Sequence, residues 1–194
     1  MNVLEINKYR PSLFKHGRFL RDDWTSCTQI GTFDKGAPLD ISEYRRVEDR
    51  YVRALHRFIS CAAVEKLFAH NMEHWDSDNE MLHRLGLDDV LDTRPAPVED
   101  EVIAGSRLDN IARRCLREAA WLELVHPKNF LVHFGYDLRL LVAMEGDPKD
   151  AIAETQADGL FVYPGNSRLP TLDEWRGLTG DDRGHRPLDK GKRR

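Results

Sequence analysis

The chain has 194 residues, 41 % of them hydrophobic and 32 % charged, with a formal net charge of −4. That length and balance suit one soluble globular domain with a sizeable core. They exclude a helical membrane span, because no apolar run approaches about 18 residues, and they argue against general nucleic-acid binding, which needs a basic footprint. No basic segment followed by an apolar run opens the chain, so no leader peptide is expected. Cys27, Cys61 and Cys115 are odd in number and far apart, with no C-x-x-C pair, which points to a reducing cytoplasm and against a cysteine zinc site. Cys61 and Cys115 read as small buried hydrophobes.

In chain order, residues 1–38 read as irregular, with short strands at "NVLEI" and around "WTSCTQI". The clearest helix follows. Asp40 and Glu43 have capping-box spacing. Tyr44, Val47, Tyr51, Ala54, Leu55, Phe58, Ile59 and Ala62 recur at three and four residues as a buried stripe, with Arg45, Arg46, Asp49, Arg50, Arg53 and Arg57 opposite. "EKLFAHNME", closed by Trp75, suits a strand. "SDNEMLHRLG" predicts a short helix with Ser77 as cap and Gly86 as stop. "LDTRPAPVEDE" is an acidic loop, since Pro95 and Pro97 bar regular structure. A second long helix starts near Val98 or Ser106, with Ile103, Leu108, Ile111, Cys115, Ala119 and Leu122 as its buried stripe.

The period then changes to two. "WLELVH", the turn "PKN" and "FLVHFGYDLRLLVAME" predict antiparallel strands, with Phe130, Val132 and Phe134 alternating, then Tyr136, Leu138, Leu140 and Val142. Gly135 marks a bend or bulge. "DPKDAIAETQADG" predicts a helix capped by Asp147, with Pro148 in its first turn and Gly159 as its stop. "LFVYP" is a last strand. The expected fold class is α+β: an antiparallel sheet, a β-hairpin plus a β-α-β end, packed by two long amphipathic helices. Residues 1–170 form the domain and 171–194 a polar tail, with one docked turn in "TLDEWRGL".

The candidate chemistry is sparse. His70, Glu73 and His74 read H-x-x-E-H, the order of an inverted zinc-peptidase helix. On a helix the two imidazoles would meet one metal; on the strand expected here they lie about 13 Å apart. A third ligand is also needed, and Glu101, Asp109 and Glu145 sit in no second motif. His126 and His133 flank the predicted turn, and no serine or cysteine nucleophile motif accompanies them. No catalytic residue, metal ligand or cofactor is therefore assigned.

Acids gather in the middle third: Asp76, Asp78 and Glu80, then Asp88, Asp89 and Asp92, then Glu99, Asp100 and Glu101. Such a negative surface can meet a basic partner and speed association. In "HFGYD", Asp137 is the residue least explained by packing, and Tyr136 and Trp75 are candidate buried anchors at an interface.

"LREAAWLELVHPKNFLVHFGYDLRLLVA" and "GLFVYPGNSRLP" carry a resemblance. The LRE helix end (Leu116 to Glu118), Trp121, the V-H-F-G-Y-D strand (Val132 to Asp137) and the G-L-F-V strand (Gly159 to Val162) resemble a family of small bacterial proteins. "ISEYRRVEDRYV" is similar to an earlier helix of that family, so the likeness covers roughly residues 24–165. After V-H-F-G-Y-D the family's aromatic-rich continuation is replaced by "LRLLV". The resemblance implies a standalone bacterial protein of the kind that accompanies polymorphic toxins as an immunity partner, and it transfers no catalytic residue. The expectation is thus a non-enzymatic, cytoplasmic immunity protein whose partner is a basic toxin domain, with no nucleic acid and no membrane involved. Its contact residues would be Asp88, Asp89, Asp92, Glu99, Asp100, Glu101, Trp75, Tyr136 and Asp137. The alternatives are a small metal-dependent hydrolase using His70 and His74, and a housekeeping interaction module.

Overall fold

A single long helix organises the packing. In the computed structural model, which describes residues 1–15, 18, 19, 23–34, 37–77, 79–91 and 94–165, helix α1 spans Ile41–Cys61. Asp40 caps it by accepting the Ser42 N–H at 2.6 Å, while Glu43 turns outward to pair with Arg46 instead of closing a capping box. The predicted stripe is buried except at Ile59, which is half-buried, and it also contains Glu48. Its tyrosines carry hydroxyls into the core, and each finds a backbone carbonyl: Tyr44 donates to Leu116 and Tyr51 to Leu138. That is how a buried phenol is tolerated.

Before α1, strand β1 spans Asn2–Asn7. Two-residue strands β2 (Phe14–Lys15), β3 (Arg18–Phe19), β4 (Phe33–Asp34) and β5 (Ala37–Pro38) form small ribbons. The strand expected around "WTSCTQI" is a 3-10 turn, Cys27–Gln29, because Ser26 and Gln29 close a reciprocal cap over it.

After α1 come β6 (Leu67–Trp75), α2 (Glu80–Leu85), β7 (Val102–Ile103), α3 (Ser106–Leu116), β8 (Ala120–His126), β9 (Phe130–Gly135), β10 (Arg139–Met144), α4 (Lys149–Ala157) and β11 (Phe161–Pro164). Asn79, not Ser77, caps α2 through its side chain, and Gly86 stops it in the left-handed region. The second long helix is half the expected length. Val102 and Ile103 pair with Phe68 and Leu67 instead, Gly105 breaks the chain at φ 55°, and Glu118 ends the far side at φ 60°. The stripe of buried residues therefore continues across three elements. Asp147 does serve α4, accepting the Lys149 N–H at 3.2 Å.

The seven-stranded sheet is antiparallel throughout, in the order β11-β1-β10-β9-β8-β6-β7. Leu4, Ile6, Phe130, Val132, Phe134, Leu140, Val142 and Met144 face the helices and join one core. Val125, Leu131 and Ala143, with Val3 and Phe68, form a smaller cluster on the other face. Burial on both faces explains why "FLV" and "LLVAM" are near-continuous apolar runs rather than clean alternations. The α+β class stands. The tail at 171–194, the turn in "TLDEWRGL", the boundary at 170 and Asp92 lie outside the described residues. Among the described residues, no helix is long and apolar enough to cross a membrane.

Candidate functional site

The expected bend at Gly135 is a hairpin. Gly135 pairs with Arg139, and Tyr136, Asp137 and Leu138 make the connection between β9 and β10. Asp137 and Leu138 both hold positive φ, 58° and 54°, the left-handed pair that mirror-image hairpin turns require. Leucine is a poor residue there. It stays because its side chain is buried and its carbonyl accepts the Tyr51 hydroxyl from α1. Asp137 is thus explained by local turn chemistry, since aspartate tolerates the left-handed region. Fixed from beneath, the turn presents Tyr136 at 65 % exposure, its ring 4.2 Å from that of Trp121 and edge-on to it.

The real bulge lies in β6. His70 pairs with Glu123 of β8, but the next pair is His74 with Trp121, so the register shifts between them. Asn71, at φ 49°, starts the arc. Glu99 holds it, one carboxylate oxygen on the His70 imidazole and the other accepting the Asn71 N–H at 3.1 Å. The H-x-x-E-H residues are therefore split: His70 is tied to Glu99, Glu73 is carried outward on the arc, and His74 sits opposite Trp121. Among the described residues, no three of His, Cys, Asp or Glu gather where a metal ion could be held.

Between arc and hairpin lies a cavity of about 250 Å³, lined by Asn71, Glu73, Trp121, Glu123, His133, Tyr136 and their chain neighbours on β8 and β9. Glu123 and His133 are register partners on β8 and β9, and His133 Nδ1 meets Glu123 Oε1 at 2.9 Å. Glu123 is only 3 % exposed, and among the described residues its Oε2 has no hydrogen-bond partner. A buried carboxylate oxygen left without a donor costs on the order of 1–3 kcal/mol. Sequence reading named Trp121 as a mark of the resemblance and not as a site residue, and it passed over Glu123. Their signal was there, in an acid two residues from a tryptophan on one face of an otherwise apolar strand.

The other candidate residues scatter. Trp75 is packed against the core with the Arg114 guanidinium 4.2 Å over its ring, so it is no exposed anchor. The acidic segment spends most of its charge internally. Asp88 meets His83 at 3.0 Å, and Glu101 meets Arg107 at 2.7 Å. Asp89 meets Arg45 at 3.2 Å and Arg117 at 2.8 Å. Burial would raise the Asp89 pKa, but the Arg117 hydrogen bond and charge more than offset this and hold it low. Asp100 takes a positive-φ turn position beside β6, its N–H donating to the Ala69 carbonyl, and is exposed. Cys115 is buried as expected, and so is Cys27, but Cys61 differs from expectation in being half-exposed at the end of α1.

Compared with known proteins, the chain matches no family, no curated protein and no solved structure.

Proposed function

We propose that this protein is a non-enzymatic binding module that grips a basic protein, and that its use is that of an immunity protein neutralising a cognate toxin domain. The observation that carries this reading is Tyr136. It is a large aromatic held two-thirds exposed on a hairpin turn that α1 pins from inside. Rigid, partly exposed aromatics are typical interface anchors. Around it stand the carboxylates of Glu73 and Asp137, which make no ion pair among the described residues. Asp100, likewise unpaired, adds to the negative surface. Unpaired surface acids steer a basic partner and set its association rate.

The test begins with capture of a stoichiometric partner from lysate at low and then moderate salt. Binding kinetics follow on a variant carrying Glu73→Lys, Asp100→Lys and Asp137→Lys. The expected result is a basic partner, an on-rate at least about tenfold slower in the variant, and a flattened salt dependence. Tyr136→Ala should raise the off-rate. Absence of any stoichiometric partner, or kinetics untouched by all four substitutions, would defeat the proposal.

A further inference from the structure

The cavity beside Tyr136 has a chemistry of its own. We propose that it is a recognition pocket for an organic cation, an alkylammonium or guanidinium group. The charge would pair with the Glu123 carboxylate and the hydrocarbon stem would lie against Trp121 and Tyr136.

Three features converge on that class of ligand. The first is the orphaned carboxylate oxygen. Glu123 is held in place by His133 on its Oε1 side, while Oε2 is buried without a donor and Glu123 lines the cavity. The missing partner is a hydrogen-bond donor, and a positively charged donor satisfies a carboxylate most strongly. The second is the wall. Trp121 and Tyr136 stand edge to face, 4.2 Å between centroids, and the faces of such rings attract cations. The third is the balance of charge. Among the described residues, the acids on the cavity are Glu73 and Glu123, and no lysine or arginine lines it. His133 faces Glu123 Oε1 through Nδ1 at 2.9 Å. About 250 Å³ admits one such group but not a large cofactor. The bulge in β6 also acquires a purpose, because it places Glu73 across the cavity from the hairpin.

The group could be free or could be a lysine or arginine of the protein partner. In the second case the inference rests on the binding reading above. The experiment uses the full chain labelled with nitrogen-15, following the Trp121 indole N–H during titration with n-butylammonium, n-propylguanidinium and, as the uncharged counterpart, n-butanol. Blocked arginine and blocked lysine amides form a further arm. A saturable shift is expected for the cations, at least about tenfold weaker for n-butanol and for Glu123→Gln, with dispersed spectra showing that the variant is folded. Tyr136→Ala, on the surface, should weaken cation binding severalfold. Blocked amino acids binding at least as well as the simple cations would assign the source to a protein side chain; the reverse order would assign it to a free amine. Equal binding of n-butanol, or no saturable shift with any cation, would overturn the pocket. A partner whose capture ignores Glu123→Gln would sink only its role in docking, and a cation site without any partner would sink only the proposed function.

Discussion

Glu48 should be the most sensitive single residue for stability. It sits within the buried stripe of α1 at 1 % exposure. Its carboxylate accepts N–H bonds from Arg117 Nε at 2.6 Å, Arg117 Nη2 at 2.7 Å and Arg113 Nη1 at 2.6 Å. Arg117 is itself 1 % exposed. Desolvation would lower its pKa, but the bonds to Glu48 and Asp89 outweigh this and raise it. Glu48→Gln keeps the shape, removes the charge and turns an amide NH₂ toward guanidinium donors. Breaking one side of a buried pair costs about 3–5 kcal/mol, because the remaining ion is uncompensated. With an m-value of about 2 kcal/mol/M, the urea midpoint should fall by about 2 M, and Tm by roughly 6–20 °C for a chain of this size. Glu43→Gln, which breaks the exposed Glu43–Arg46 pair one turn away, should cost under about 0.5 kcal/mol. Replacing both Glu48 and Arg117 by methionine should destabilise less than Glu48→Met alone. A Glu48→Gln loss within about 1 kcal/mol would refute the reasoning, since it would mean that water reaches the pair.

Other outcomes follow from the same geometry. Burial raises the Glu5 pKa, but hydrogen bonds from Arg139 and Tyr163 more than offset it, leaving the group below its usual 4.5. A depressed folded pKa adds stability that is present above pH 4.5 and lost as pH falls through the folded value. The urea midpoint should therefore drop below pH 4.5, and drop less in Glu5→Gln; identical acid limbs would contradict this. Burial, with the Glu118 charge behind it, pushes the Cys27 thiol up to about 12, and burial does the same at Cys115. A disulfide reagent at pH 8 should modify half-exposed Cys61 first, and peptide mapping that found Cys27 or Cys115 labelled as quickly would contradict the burial. Glu99→Ala should release the arc in β6, so amide exchange should quicken across Asn71–Trp75 while β9 and β10 stay protected. Unchanged exchange there would show that the bulge holds without its carboxylate.

The parts of the fold legible beforehand were those written in one local period. α1, the β8–β9 hairpin, α4 and the closing strand each carry their own apolar rhythm and caps. What escaped was non-local. Leu138, Leu140 and Val142 keep a period of two straight through a turn, so the hairpin tip at Tyr136 to Leu138 reads as continuous strand. The second helix was overextended because Ile103, Leu108 and Leu122 face one core from three different elements. Glu48 reads as an interruption of a stripe until Arg117, 69 positions away, is brought against it. The site was half-legible. Tyr136 and Asp137 stood out as unusual, but the cavity exists only because β6 bulges beside β8, and no spacing rule in "FAHNMEHWD" announces a bulge.

The place of β1 has a consequence for how the molecule is made. Its residues pair on one side with β10, Asn2 against Met144, and on the other with β11, Leu4 against Pro164. During synthesis this strand leaves the ribosome before the long stretch of chain that separates it from β10 and β11, and waits for that stretch to follow before either neighbour exists. At about 5–20 residues per second that is an interval of roughly 10–30 seconds. Until then its apolar side chains and both its hydrogen-bonding edges are available to anything nearby. A nascent chain halted just before β10 would hold α1, α2 and α3 and still lack the means to close its sheet.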